Sequence, residues 1–350
     1  MGERSEYGGA GAYPYSEIRT PPGRSFARPT LLTVVSTEEE FDWDGPFDPL
    51  RRGVGASARL PEAQAMFDQL GVRPTYVVDH PIASTPAASD ILRGFLREGR
   101  CEVGAHLHPW VNPPLRESPS ATHSYPGNLP PELEREKLRV LVGAIEASIG
   151  ARPRSYQAGR YGFGPSTAGL LEELEFDVDL SCSPAFDYSG DGGPDYSRAA
   201  TEPLWFGARR RMLAIPITGA FVGAAGARAG CLHRHASRPW MRALRAPAIL
   251  ARLRISERLR LSPEGFDLRA MQRLTHSLRS TGSTVFVLGL HSPSFQPGCT
   301  PYVRSESDLR KLFDTCRAYY RYFFDELGGR HLMASELYDE WVASASGDGS

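Results

Sequence analysis

Apolar residues in this chain fall into short unbroken runs, and between those runs they return every three or four positions. The runs at 31–37, 75–79, 101–106, 155–158, 177–180, 212–217, 285–291 and 331–334 predict β-strands. The helical spacing predicts helices at 61–70, 87–98, 131–149, 165–174 and 306–327, and a pair within 239–279. Strands separated by helices form βαβ units with parallel pairing, so the fold class is α/β. Many such units close into a barrel or open into a wound sheet. Both arrangements put functional loops at the carboxyl ends of the strands.

Two stretches break the alternation. Residues 111–130 hold Pro113, Pro114, Pro119, Pro126 and Pro130 directly after a predicted strand, which suits a wall or lid over a site. Residues 219–260 are rich in Gly and Arg, include His233 and His235, and read as an insertion. Within them, at 240–260, Trp240, Met241, Leu244, Ile249, Leu250 and Leu253 are interspersed with arginines, as in an amphipathic surface helix. Such a helix packs its apolar stripe on the domain, or offers it to a membrane surface or an anionic substrate. The polar, unpatterned ends at 1–28 and 343–350 read as disordered tails around one domain spanning 29–342.

Composition narrows the partners. At 350 residues the chain is long enough to bury a large core, and its net charge of −1 gives no bulk attraction to nucleic acid. Only Lys137 and Lys311 are lysine; every other basic residue is arginine. The five cysteines are odd in number and contain no Cys-x-x-Cys pair, which argues against a disulfide framework or a thiolate zinc site and fits a reducing compartment. No run approaches the ~18 apolar residues of a membrane span. The first residues lack the basic region and apolar core of a secretory signal, so the expected compartment is the cytoplasm.

The chemistry concentrates at three strand ends. In Gly104-Ala105-His106-Leu107-His108, the two histidines stand two residues apart. Residues i and i+2 of a strand share a face, so both imidazoles can converge on one cation such as Zn²⁺. The alternative is a pair of ordinary histidines, one bonded to backbone and one solvated. After the first strand comes Ser36-Thr37-Glu38-Glu39-Glu40-Phe41-Asp42-Trp43, whose crowded carboxylates repel unless a cation or arginine is near. Glu38 is best placed to complete a Glu/His/His shell, while a solvated acidic loop is the other reading. His291 ends an apolar strand and suits a general acid or a satisfied buried histidine. Arg160, in Ala158-Gly159-Arg160-Tyr161-Gly162, could orient a carboxylate or bind a substrate oxygen. Trp43, Trp110 and Tyr161 could stack on a sugar ring or serve as packing. Paired carboxylates such as Glu38 and Asp179 would instead suit a glycosidase, provided that they stand ~5–9.5 Å apart.

Taken together, Thr37–Trp43, Gly104–Pro114, Gly159–Gly164 and His291–Tyr302 resemble the polysaccharide deacetylase family, the NodB-homology carbohydrate esterases, and in particular a bacterial branch whose first motif is of the Asp-Thr-Glu-Glu-Glu-Phe-Asp-Trp kind. The resemblance spans nearly the whole chain outside the tails. It implies a distorted barrel of about seven β/α units and a divalent metal, usually zinc. The implied reaction removes acetyl groups from an N-acetylated sugar or glycan. Carried onto this chain, it makes Glu38 and His106 metal ligands and His291 the general acid, with Asp179 loosely aligned to a supporting aspartate. The family's second histidine lies four residues after the first, where this chain has Trp110, and His108 is the nearby substitute. The family's catalytic-base aspartate falls on Ser36, and the arginine that steadies it falls on Gln157. A serine without an adjacent base is a poor proton acceptor, so either the metal alone activates water or Glu39, Glu40 or Asp42 stands in as base. It also leaves open a catalytically impaired glycan-binding or regulatory protein on the same barrel.

Overall fold

The computed structural model describes residue 26 and residues 28–346 of the chain; the remainder of the two expected tails lies outside the described residues. The strands are β1 (Thr30–Thr37), β2 (Thr75–Val78), β3 (Glu102–Leu107), β4 (Ser155–Ala158), β5 (Val178–Asp179), β6 (Leu204–Phe206), β7 (Met212–Ala214), β8 (Gly219–Val222), β9 (Glu257–Arg260), β10 (Val285–His291) and β11 (Arg330–His331). Nine of them form one curled sheet in the order β10-β1-β2-β3-β4-β5-β7-β6, with β11 pairing the start of β1. All pairs are parallel except β6 with β7. This is the expected α/β architecture, a distorted barrel ringed by helices.

The strands are apolar on both faces because both faces are covered. In β1, Leu31 and Val35 belong to the outer core between sheet and helices, whereas Leu32 and Val34 belong to a second core inside the barrel. The same alternation puts Val103, Ala105 and Leu107 of β3 and Tyr156 and Ala158 of β4 outside. Val285 and Val287 of β10 lie inside. Extending each inner row toward the carboxyl end brings Ser36, His106, Gln157 and His291 to the barrel mouth. The register agrees, with Ser36 opposite His291 and His106 opposite Gln157.

The insertion does more than interrupt the sheet. β8 and β9 form an antiparallel hairpin, and the chain beside it fills the gap between β7 and β10. Thr218 donates its backbone N–H to Val287 O, Leu261 donates to Thr218 O, and Gly289 donates to Leu261 O. Between the hairpin strands lie the helices Ala229–Ala236, Pro239–Ala243 and Ala246–Arg252; the helix Leu268–Ser280 follows β9. The pair expected within 239–279 is therefore three helices. No helix among the described residues is long and apolar enough to cross a membrane.

The first and last described residues meet at the bottom of the barrel. Phe26 meets the Trp341 ring edge-on at 5.3 Å, and Arg28 donates to Gly328 O and Gly329 O. The last helix, Ala334–Ser346, runs into the stretch expected as a tail. Next to it, His331 on β11 has an unpartnered, buried Nε2, and burial together with Arg73 pushes its pKa down to about 3. The unfolded side chain takes a proton near pH ~6.5 while the folded one resists it. The stability it contributes is thus complete above that pH and is lost as pH falls toward 3. At pH 5 the loss amounts to about 1–2 kcal/mol. We expect the thermal midpoint of His331→Phe to fall less between pH 7 and pH 5 than that of the wild type; parallel curves would assign the acid sensitivity elsewhere.

Candidate metal centre

Glu38, His106 and His108 meet at the barrel mouth, and their candidate ligand atoms lie within 4.8 Å of one another. Glu38 Oε2 is 3.2 Å from His106 Nε2 and 3.5 Å from His108 Nε2. All three side chains are buried. The tautomers follow from the other ring nitrogens. His106 Nδ1 donates to the Gln157 carbonyl at 3.0 Å, since a carbonyl can only accept. His108 Nδ1 lies 2.8 Å from Glu39 Oε2 and donates to that carboxylate. Burial pushes both imidazoles below their usual pKa, so each is neutral with a bare lone pair on Nε2. Two lone pairs and a carboxylate therefore face one another, and Glu38 Oε1 is buried with no partner. Burial alone would raise the Glu38 pKa, but His291, His106 and His108 together hold it below the usual value. Three acceptors converging without a donor fit a divalent cation.

Around the ligands lies a layer that orients them. Glu39 N–H donates to Asp79 Oδ2 at 2.7 Å, and Asp79 Oδ1 caps the helix His80–Ser84 by accepting from Ile82 N–H. Burial pushes the Glu39 carboxyl up to about 7 and Asp79 well above the carboxylate range. Trp110 stacks on the His108 ring at 4.2 Å, and Phe41 meets it edge-on at 5.8 Å. The position four residues after His106 thus supports the second imidazole instead of supplying one. Gly159 is required by the same ring: a Cβ there would lie 2.4 Å from Leu107 O and 2.6 Å from His108 Cδ2.

The base position has no carboxylate. Ser36 Oγ donates to Gln157 Oε1 at 2.7 Å, and Gln157 Nε2 donates to Leu180 O. The two neutral side chains satisfy each other at the place where the resemblance puts an aspartate and an arginine. Glu40 accepts from Ala56 N–H at 2.6 Å, and Asp42 pairs with Arg51.

His291 occupies the other side of the mouth. Its Nδ1 is 2.6 Å from Glu264 Oε2, and its backbone N–H donates to Glu264 Oε1. Burial opposes its charge, but Glu264 and then Glu38 outweigh that and raise its pKa to about 9. The Trp43 ring meets the His291 ring edge-on at 5.2 Å and Tyr302 at 5.7 Å. Trp43 Nε1 has no partner. Arg260, from the end of β9, lies over the Tyr161 and Phe186 rings and donates to Ser183 Oγ and Tyr188 Oη.

Two predicted residues are engaged by neighbours outside the three-ligand group. Arg160 donates to Ser124 Oγ, pairs with Asp191 and covers the Phe47 and Tyr125 rings, so it braces the wall. That wall, expected at 111–130, is fastened rather than free: the buried Lys137 Nζ donates to the carbonyls of Pro109, Asn112 and Pro114. Asp179 sits between Val178 and Leu180, both inside the barrel, and its carboxylate accepts from Ser181 Oγ and N–H. Strand alternation turns it outward, away from Glu38, which removes the paired-carboxylate glycosidase arrangement. Glu264 and Arg260 were not foreseen; no motif marks either, and only barrel closure brings them here.

No family model matches the sequence, and neither does any curated protein. Solved structures share the fold. A candidate polysaccharide deacetylase from Mycobacterium smegmatis superposes with a TM-score of 0.54 at 15% identity, covering 94% of this chain and 96% of the other. The allantoinase Puue superposes with a TM-score of 0.55 at 13% identity, covering 97% and 98%. At these identities the likeness is one of fold.

Proposed function

We propose that the protein is a hydrolase that uses a divalent metal, zinc by preference, to remove N-acetyl groups from a sugar or glycan. The observation that carries this reading is the convergence of three buried acceptors, Glu38, His106 and His108, without a donor among them. A cation held there would supply Lewis acidity to an acetyl carbonyl and to water. The chain's own residues do the rest. Glu39 and the Gln157 carbonyl fix the two imidazoles in their ligating tautomers. His291, charged through Glu264 and partly exposed, holds the proton that the departing amine must receive. Tyr302, exposed beside Trp43, offers a ring face for a sugar. Five free cysteines suit a reducing compartment.

A second reading rests on one specific observation, the closed Ser36–Gln157 hydrogen bond where a base and its arginine are expected. On that reading the barrel binds a glycan and turns it over slowly or not at all. Ser36→Asp with Gln157→Arg restores the charged pair. Because general-base help is worth ~10²–10⁴-fold in rate, we expect the double variant to release free amine from N-acetylated oligosaccharides at least ~10²-fold faster. Wild-type release that depends on added zinc and stops with a chelator supports the hydrolase. No release from either protein would argue for a binding role.

A further inference from the structure

Residues 212–256 contain seven arginines and no acidic residue. All seven lie in the helical part of the insertion, as Arg228, Arg234, Arg238, Arg242, Arg245, Arg252 and Arg254. In a chain whose overall charge is −1, this is a steep local asymmetry. The helices around which they cluster also leave large apolar side chains in water: Trp240 is 59% exposed, Leu244 64%, Ile249 52% and Leu253 62%. An amphipathic helix that serves only the fold buries its apolar stripe, whereas the helix Ala246–Arg252 buries no residue. The helix Ala229–Ala236 anchors the group, through buried Ala229 and Ala236 and the Phe221–His233 ring contact at 4.8 Å.

We propose that this face docks on an anionic phospholipid surface. Arginines interspersed with Trp, Leu and Ile suit the headgroup layer, where the cations meet lipid phosphates while the apolar side chains enter the acyl boundary. The segment 212–256 that carries these side chains has no acidic residue to repel the lipid charge. A nucleic acid would satisfy the arginines and leave the Leu and Ile side chains wet; a second copy of this chain would cover the apolar side chains and crowd like charges together. A bilayer meets both demands. The inference stands apart from the hydrolytic reading, because it uses no residue of the metal centre. The helices depart from the Val222–Glu257 end of the hairpin, and Arg260 at its other end reaches the barrel mouth. That separates the docking face from the mouth by about 10 Å of strand.

The test is co-sedimentation of the full chain with phosphatidylcholine vesicles, with and without phosphatidylglycerol. Binding is expected only where phosphatidylglycerol is present, with a blue shift of Trp240 fluorescence and loss of binding as salt rises. Each basic residue near an anionic surface is worth about a fivefold change in partitioning, so R238Q/R245Q/R252Q lowers binding about a hundredfold. W240S/L244S/I249S lowers it as well, at unchanged thermal midpoint. Failure to bind phosphatidylglycerol vesicles overturns the proposal, as does binding that is unaffected by either triple variant. A preference for a DNA duplex over the vesicles, or dimerisation through Trp240 that excludes them, also overturns it.

Discussion

His108→Ala abolishes measurable divalent-cation binding and, with it, hydrolysis. His108 supplies one of the two lone pairs facing Glu38, and neither Trp110 nor any other described side chain offers a replacement ligand in that group. The graded companion is Glu39→Gln. This change keeps the ligands but replaces the carboxylate that holds His108 Nδ1 with an amide, whose oxygen accepts more weakly and whose nitrogen does not accept at all. Partners of this kind are worth about 10–100-fold in metal affinity. Zinc titration by calorimetry separates the cases: no heat for His108→Ala, and an affinity lower by that factor for Glu39→Gln. A thermal melt gives the same order, because a ligand at a hundred times its Kd stabilises by about 2.7 kcal/mol. Equal affinity in wild type and His108→Ala would move the metal site elsewhere.

His291→Gln lowers kcat by about 10²–10⁴-fold with little effect on KM, as loss of a proton donor does. Glu264→Gln acts through the same ring and has a distinct signature in the pH profile. The Glu264 carboxylate 2.6 Å from Nδ1 is the chief attraction that raises the His291 pKa to about 9. An acid with a raised pKa stays charged through neutrality and gives up its proton only as pH climbs past that value. Activity therefore falls on the alkaline side, and Glu264→Gln moves that fall toward lower pH by about one unit or more. A uniform loss of rate at every pH would mean that Glu264 merely holds the loop.

How far the sequence could be read follows from what each residue's neighbours reveal. β1 and β10 were legible because both faces are buried, which leaves continuous apolar runs. β6, β8 and β9 were not. Each is three or four residues long, and β9 alternates arginine with other residues on an edge that only the hairpin explains. Glu38, His106 and His108 could be grouped because a two-residue period survives folding. The same period could have turned Asp179 away from the site, since the flanking Val178 and Leu180 show which side faces in. Glu264 and Arg260 needed the barrel to close across the insertion. Arg160 carries a motif-like setting of glycines, yet its role is set by Asp191, Ser124 and two rings that no local pattern announces. The apolar face at 240–260 was visible as composition, but only its exposure showed that the domain leaves it uncovered.

The measurement closest to the central claim is the metal content of the purified protein, by elemental analysis, beside His106→Ala. The account predicts about one zinc per chain after loading and removal of excess, and none in the variant. A wild-type protein that remains metal-free under those conditions, or a variant that retains the same content, would contradict it.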